Sequence, residues 1–284
     1  MTDRSFVAIL FVVALLLPFC AMAQLDGWTK GKGNTDLAFG TTFEQGSGFY
    51  EGMELRDNYQ RTKVVASIFA AHGFTKDLDV ILNLPYVNIG GSGGFQDAAL
   101  WLKWAPIQTN IGEKWKFSLI TAAGISVPMT NYTTYSSNAI GQQATAFMPM
   151  GLAQFQHYNS GIFFNFSSGY FFKSDPTPDL VPFQFKVGLA KSKYYLELYF
   201  DMGESQGGKD YSGTGDLEPD PEEEFKDLGA SWQKVGAKYY KPLTERYGIS
   251  IEAFKVLNGR NYDDSFGIAA SFIWKISAKK KNEE

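Results

Sequence analysis

The sequence holds one cysteine, Cys20, and two histidines, His72 and His157, in 284 residues. A lone cysteine rules out a disulfide framework and cysteine-rich metal sites. Two histidines with no serine or acid signature beside them leave imidazole-based nucleophilic catalysis without a visible partner set. An excess of positive charge is also missing: 26 basic against 30 acidic residues give a net charge of -4, so no electrostatic footprint for nucleic acid exists. Beyond Phe19 there is no apolar run near the roughly 20 residues that a membrane helix needs. No phosphate-cradling glycine loop and no Gly-x-Ser-x-Gly element occurs. Aromatics, by contrast, are abundant, with Phe 24, Tyr 15 and Trp 6 making 16% of the chain. That content excludes a disordered chain.

Arg4 precedes an apolar run from Phe6 to Phe19, and Ala21-Met22-Ala23 follows it as a small-residue cleavage site. This is the pattern of a secretory leader over 1–23, and it predicts a mature chain beginning at Gln24. A short periplasmic segment is then expected over 24–33, a folded body over 34–276 and a periplasmic tail over 277–284.

From Asn34 onward apolar residues recur at every second position for about ten residues and then break at Gly, Asn, Asp, Ser or Pro. Leu78, Val80, Leu82, Leu84 and Tyr86 share one such face; Phe117, Leu119, Thr121, Ala123, Ile125 and Val127 share another. Twelve strands are expected near 34–44, 61–74, 78–89, 97–105, 114–128, 144–157, 161–173, 182–191, 194–202, 231–241, 247–256 and 266–276. Their connections alternate in length, with long ones at 45–60, 129–143 and 203–230 and tight ones at 75–77, 158–160 and 192–193.

Export, an even number of roughly ten-residue strands and long loops on one side only predict an all-β fold, an antiparallel transmembrane β-barrel with periplasmic termini and long extracellular loops. Ten residues at about 3.3 Å, tilted by about 40°, span roughly the 25 Å of the lipid-facing band. One topology also puts Phe74, Trp104, Trp115, Tyr158, Tyr194, Tyr239, Tyr247 and Trp274 at the periplasmic strand ends, where an aromatic girdle belongs. Outer-membrane lipid and the assembly machinery of that membrane are therefore the expected partners, and a diderm outer membrane the expected location.

The opposite strand faces should line the lumen. The charged candidates are Asp79, Lys103, Lys186, Glu197, Asp201, Lys234, Lys238 and Glu252, joined by Asp36, Asn83, Lys116 and the small residues Gly124, Gly169, Gly188 and Gly236. No charged residue occurs between Lys116 and Lys173, so one wall reads as neutral and the other as ionic. Such a set either tunes a channel or braces a narrow barrel with ion pairs.

The mature chain resembles the outer-membrane β-barrel family associated with meta-pathway phenol degradation. The resemblance rests on Gly27-Trp28-Thr29-Lys30-Gly31-Lys32-Gly33, on HGFTKDLDVILNLPY over 72–86, on DAALWLKW over 97–104, on WQKVGAKYY over 232–240 and on LNGRNY over 257–262. It implies a barrel that passes small hydrophobic or aromatic compounds and implies no catalytic residue, cofactor or metal. The more distant fatty-acid and hydrocarbon transporters carry an N-terminal plug, for which the ten residues before the first strand look too short.

The stretch 203–229 holds nine acidic residues against Lys209 and Lys226. It reads as a solvated loop over the mouth; it lacks the ligand spacing and turn glycine of an EF-hand calcium loop. Two functions follow from the sequence: a channel for small apolar or aromatic solutes, or a closed structural or partner-binding barrel without transport.

Overall fold

In the computed structural model, residues 25–135, 138–211 and 225–277 are described. The expected leader with its cleavage site, residues 212–224 of the acidic stretch and the tail 278–284 lie outside them. The alternating pattern folds into strands β1 (Thr35–Glu51), β2 (Glu54–Gly73), β3 (Leu78–Ile89), β4 (Ser92–Phe95), β5 (Asp97–Ile111), β6 (Trp115–Pro128) and β7 (Ala146–His157). The second half supplies β8 (Ile162–Gly169), β9 (Phe172–Lys173), β10 (Leu180–Ala190), β11 (Tyr195–Ser205), β12 (Ser231–Pro242), β13 (Tyr247–Arg260) and β14 (Tyr262–Ile276). Among the described residues the sole helical element is a 3-10 turn, Phe225–Asp227.

Every named strand pairing is antiparallel. β1 pairs with β14 from Thr35↔Ile276 to Tyr50↔Tyr262, which joins first strand to last and closes the sheet. β4 is a short flap on β3, and β9 pairs only with β7, so twelve strands make the wall. Closure leaves no unpaired edge, the condition for a sheet to cross a bilayer.

Side chains alternate across that wall. On β3, Asp79, Ile81, Asn83, Pro85 and Val87 are buried inside, whereas Leu82 and Tyr86 are exposed outside. The outer face is apolar throughout, with Leu100, Leu102, Ile125, Phe147, Phe166, Leu198, Ile251 and Ile268 all more than a third exposed. A water-soluble fold hides such a band; a barrel in lipid needs it. Six of the eight girdle aromatics, Phe74, Trp104, Tyr158, Tyr239, Tyr247 and Trp274, are exposed at the short-turn end. A second exposed ring, Tyr86, Phe95, Phe147, Phe172 and Phe266, marks the opposite end. On β14 the step from Trp274 to Phe266 rises roughly 20 Å, consistent with two interfaces.

Three expectations about strand ends are corrected. The connection expected at 45–60 is a continuous hairpin, with β1 running to Glu51, β2 starting at Glu54 and Gly52 turning at φ 54°. The connection expected at 257–265 is likewise a tight turn, at Asn261 with φ 49°. β5 runs on to Ile111 before Gly112. In the first of these stretches both faces are largely polar, so the period-two signal fades although the backbone ladder continues.

The described parts of the two longest connections, 129–135 with 138–145 and 206–211 with 225–230, are true loops and fold inward. Arg61 Nη2 donates to the Ala139 carbonyl at 2.7 Å, and Gln142 Nε2 donates to the Leu228 carbonyl at 2.8 Å. Ile140 and Tyr132 pack with Val65, Val87 and Ile89 in the mouth. The Tyr132 hydroxyl donates to Asp97 Oδ1 at 2.6 Å; burial and that carboxylate push the phenol above its usual range.

Candidate functional site

Inward-facing aromatics would fill a twelve-stranded barrel if they stood upright. Five of them lie over a glycine across the ladder instead. Trp101 is opposite Gly124, Phe163 opposite Gly188, Tyr199 opposite Gly236, Trp232 opposite Gly203 and Phe254 opposite Gly267. In all five a Cβ on the glycine would overlap the ring. Gly124, Gly188 and Gly236, expected only as small lumen residues, are therefore seats for rings, as are Gly203 and Gly267, whereas Gly169 meets Pro149 and Met150, and beside Trp101, Trp232 and Phe254 a cavity remains open.

The cavity measures about 370 Å³. Leu25 lies in its floor and Ile140 in its roof, since Leu25 packs among Ala71, Ile81 and Leu152 toward the short turns while Ile140 packs among Val65 and Ile89 toward the long loops. One side is mainly aromatic and thioether, from Trp101, Met148, Met150 and Phe171, with Gln96, Asp97, Ser126 and Asn83 as its polar groups. The other carries Glu44, Lys63, Asp201, Lys234 and Glu252. The division between a largely apolar and an ionic wall thus exists in space.

All eight charged candidates occupy inward positions, and they separate into two groups. Asp201, Lys234, Glu252, Lys238 and Glu197 form the ionic wall. Lys234 Nζ is 3.1 Å from Asp201 and 5.2 Å from the centre of the Phe254 ring. Trp232 Nε1 donates to Asp201 at 3.1 Å, and the Tyr199 hydroxyl donates to Glu252 at 2.6 Å. Lys238 lies 3.8 Å from Glu252, and the Tyr195 hydroxyl donates to Glu197. Lys63 and Glu44, 2.6 Å apart and joined by a 2.6 Å bond from Ser265 Oγ, extend this wall. Those two fell at the margins of expected strands; their parity with the inward Thr42 and Val65 was the signal that could have found them.

Asp79, Lys103 and Lys186 do something else: they hold the chain that precedes β1. Lys103 Nζ lies 2.7 Å from Asp26 and 3.5 Å from Asp79, and it donates to the Trp28 carbonyl. Asp79 accepts the Lys30 amide at 3.0 Å. Lys186 Nζ donates to the Leu25 carbonyl at 3.5 Å. Trp28 meets Phe163 at 5.0 Å and Tyr195 at 5.7 Å, edge to face, and Lys30 pairs with Asp36 at 3.0 Å. Burial alone would raise the Asp26 carboxyl, but the charges of Lys103 and Lys30 overcome it and hold the group well below the usual range. The expectation of a periplasmic segment too short to plug the barrel is corrected in this respect. Residues 25–30 form a strap inside the lumen, because alternating anchors reach both walls where a hatch domain would need bulk.

His72 and His157 sit at strand ends. Thr35 Oγ1 lies 2.8 Å from His72 Nδ1, and Ser160 Oγ lies 3.0 Å from His157 Nδ1. The Ser160 amide donates to the same nitrogen at 3.2 Å, so this contact closes the 158–161 turn.

A closed antiparallel sheet with an apolar outer face, two aromatic rings and a polar interior defines a transmembrane β-barrel. Its fold is that of an outer-membrane channel from Pseudomonas putida F1, with a TM-score of 0.69 and 12% identity over 90% of this chain and 100% of that one. The KdgM porin in complex with disordered oligogalacturonate aligns over 86% of this chain and 99% of its own at 6% identity and a TM-score of 0.48. The NanC porin aligns over 84% and 98% at 10% identity and a TM-score of 0.46. No known family profile and no curated protein sequence matches the chain.

Proposed function

We propose that the protein is an outer-membrane channel for small apolar or aromatic solutes, exported by a cleaved leader and inserted by the outer-membrane assembly machinery. The observation that carries this reading is the two-faced cavity at the middle of the lumen. Its aromatic and thioether side offers dispersion and ring contacts to an apolar solute. The facing charges bond one another, which lowers the cost of leaving them beside such a solute. At about 370 Å³ the space exceeds the roughly 150 Å³ in which a dry cavity holds benzene. The sequence resemblance to the phenol-degradation family supports the same solute class. A solute enters past Ile140, rests against Trp101 and leaves once the strap at Leu25 shifts.

The strap and the inward loops favour a second reading, a barrel closed at both ends that serves the envelope structurally. Planar-bilayer recording of the refolded protein separates the two. Discrete conductance blocked by small aromatics supports the channel; a correctly folded barrel that neither conducts nor speeds aromatic uptake into liposomes sinks it.

A further inference from the structure

Several polar residues line the cavity, among them Gln96, Asp97, Ser126 and Asn83, and of the described lining residues Asn83 alone carries a fully buried side-chain polar atom without a hydrogen-bond partner. Asn83 is 6% exposed, lines the cavity, and its Oδ1 finds no hydrogen-bond partner among the described residues. Its surroundings explain why. Across the ladder it faces Phe69 on β2 and Ala99 on β5, and along β3 the next inward residues are Ile81 and Pro85. None of these side chains can donate a hydrogen bond. The carboxylates that line the cavity differ: Glu44, Asp201 and Glu252 each accept bonds from neighbours. A buried amide oxygen without a donor carries the desolvation penalty of an unmade bond, and a leucine of similar volume would avoid it.

Resting on the channel reading above, we propose that Asn83 determines specificity by accepting a hydrogen bond from a hydroxyl or amino group on an otherwise apolar ring solute. The apolar surface continues from Ala99 to Trp101, whose ring covers Gly124, and reaches Met148, which is opposite Gly124 in register. A ring laid on Trp101 and Met148 has its substituent directed toward β3. The ligand class is therefore a small ring compound with one hydrogen-bond donor, preferred over the isosteric hydrocarbon because only the former relieves the unpaired oxygen.

The test compares phenol with toluene, which match in shape and differ in one hydroxyl. In the full mature protein in planar bilayers, phenol should half-block the single-channel current at about tenfold lower concentration than toluene. Asn83→Leu should bring the two concentrations together by weakening phenol and leaving toluene unchanged. Asn83→Ala, which adds no bulk, should do the same if the leucine variant fails to refold. A phenol preference that persists in either folded variant, or is absent from the native protein while both compounds block, overturns the assignment to Asn83 alone. Failure of both compounds to block the native channel overturns the solute-channel reading and this proposal with it.

Discussion

Lys103 Nζ and Asp26 Oδ1 lie 2.7 Å apart although all of β1 to β4 lie between them in the sequence, and Lys103 is among the largest fully buried side chains of the described residues. The contact fastens the chain start to β5, and it sets what leaving the lumen requires. Removing one partner of a buried pair strands the other charge, at a cost of about 3–5 kcal/mol for full burial. Asp26 keeps a side-chain exposure of 35%, so the lower end of that range applies. Lys103→Met should therefore loosen the strap while the barrel still closes. Trypsin-accessible cleavage at Lys30 and flickering current would register it; an unchanged cleavage rate would show that Trp28, Lys186 and the contacts of Lys30 hold the strap without Lys103.

Deleting 25–30 removes the floor of the cavity. Conductance should rise several-fold, and aromatic block should weaken as Leu25 no longer closes the lower side. Equal conductance with and without the strap would place the constriction at Ile140 and the inward loop.

Gly236 supports the flat ring of Tyr199, so Gly236→Ala forces that ring toward the lumen. Overpacking of this kind costs about 1–3 kcal/mol. The expected result is a lower melting temperature together with smaller unitary conductance, read by circular dichroism and by bilayer recording. Gly151, with open space around its Cβ position, is the control that should tolerate alanine.

Lys234→Met leaves Asp201 with the Trp232 indole and the Gln184 amide as its remaining partners. The cavity then gains net negative character, and reversal potentials in a salt gradient should move toward cation preference. An unshifted reversal potential would mean that permeant ions do not pass this wall.

Strap anchoring should resist mild acid. A carboxyl whose folded pKa is depressed adds stability above its unfolded value, near 3.8, and loses that contribution only as pH falls through the folded value. Cleavage at Lys30, measured relative to an unstructured lysine peptide at the same pH, should consequently stay constant from about pH 8 to about pH 5 if the Asp26–Lys103 contact controls release. Acceleration within that window would show that a group other than Asp26 controls release.

Period-two alternation was enough to read the strand number and the all-β wall, because a pleated strand sends neighbouring side chains to opposite faces whatever the partner strand is. Alternation is silent where both faces are polar. That is why the β1–β2 hairpin and the β13–β14 turn extended past their expected ends.

Composition, alternation and aromatic spacing by themselves determined that this chain closes into a membrane-spanning barrel with one neutral and one ionic wall. Pairing across the ladder was decided only by the tertiary structure. Which ring meets which glycine depends on register between strands, and whether Asp26 reaches Lys103 depends on an irregular segment with no periodicity to read. The cavity and the buried amide of Asn83 follow from those registers, since a void is a property of what several strands leave unfilled together.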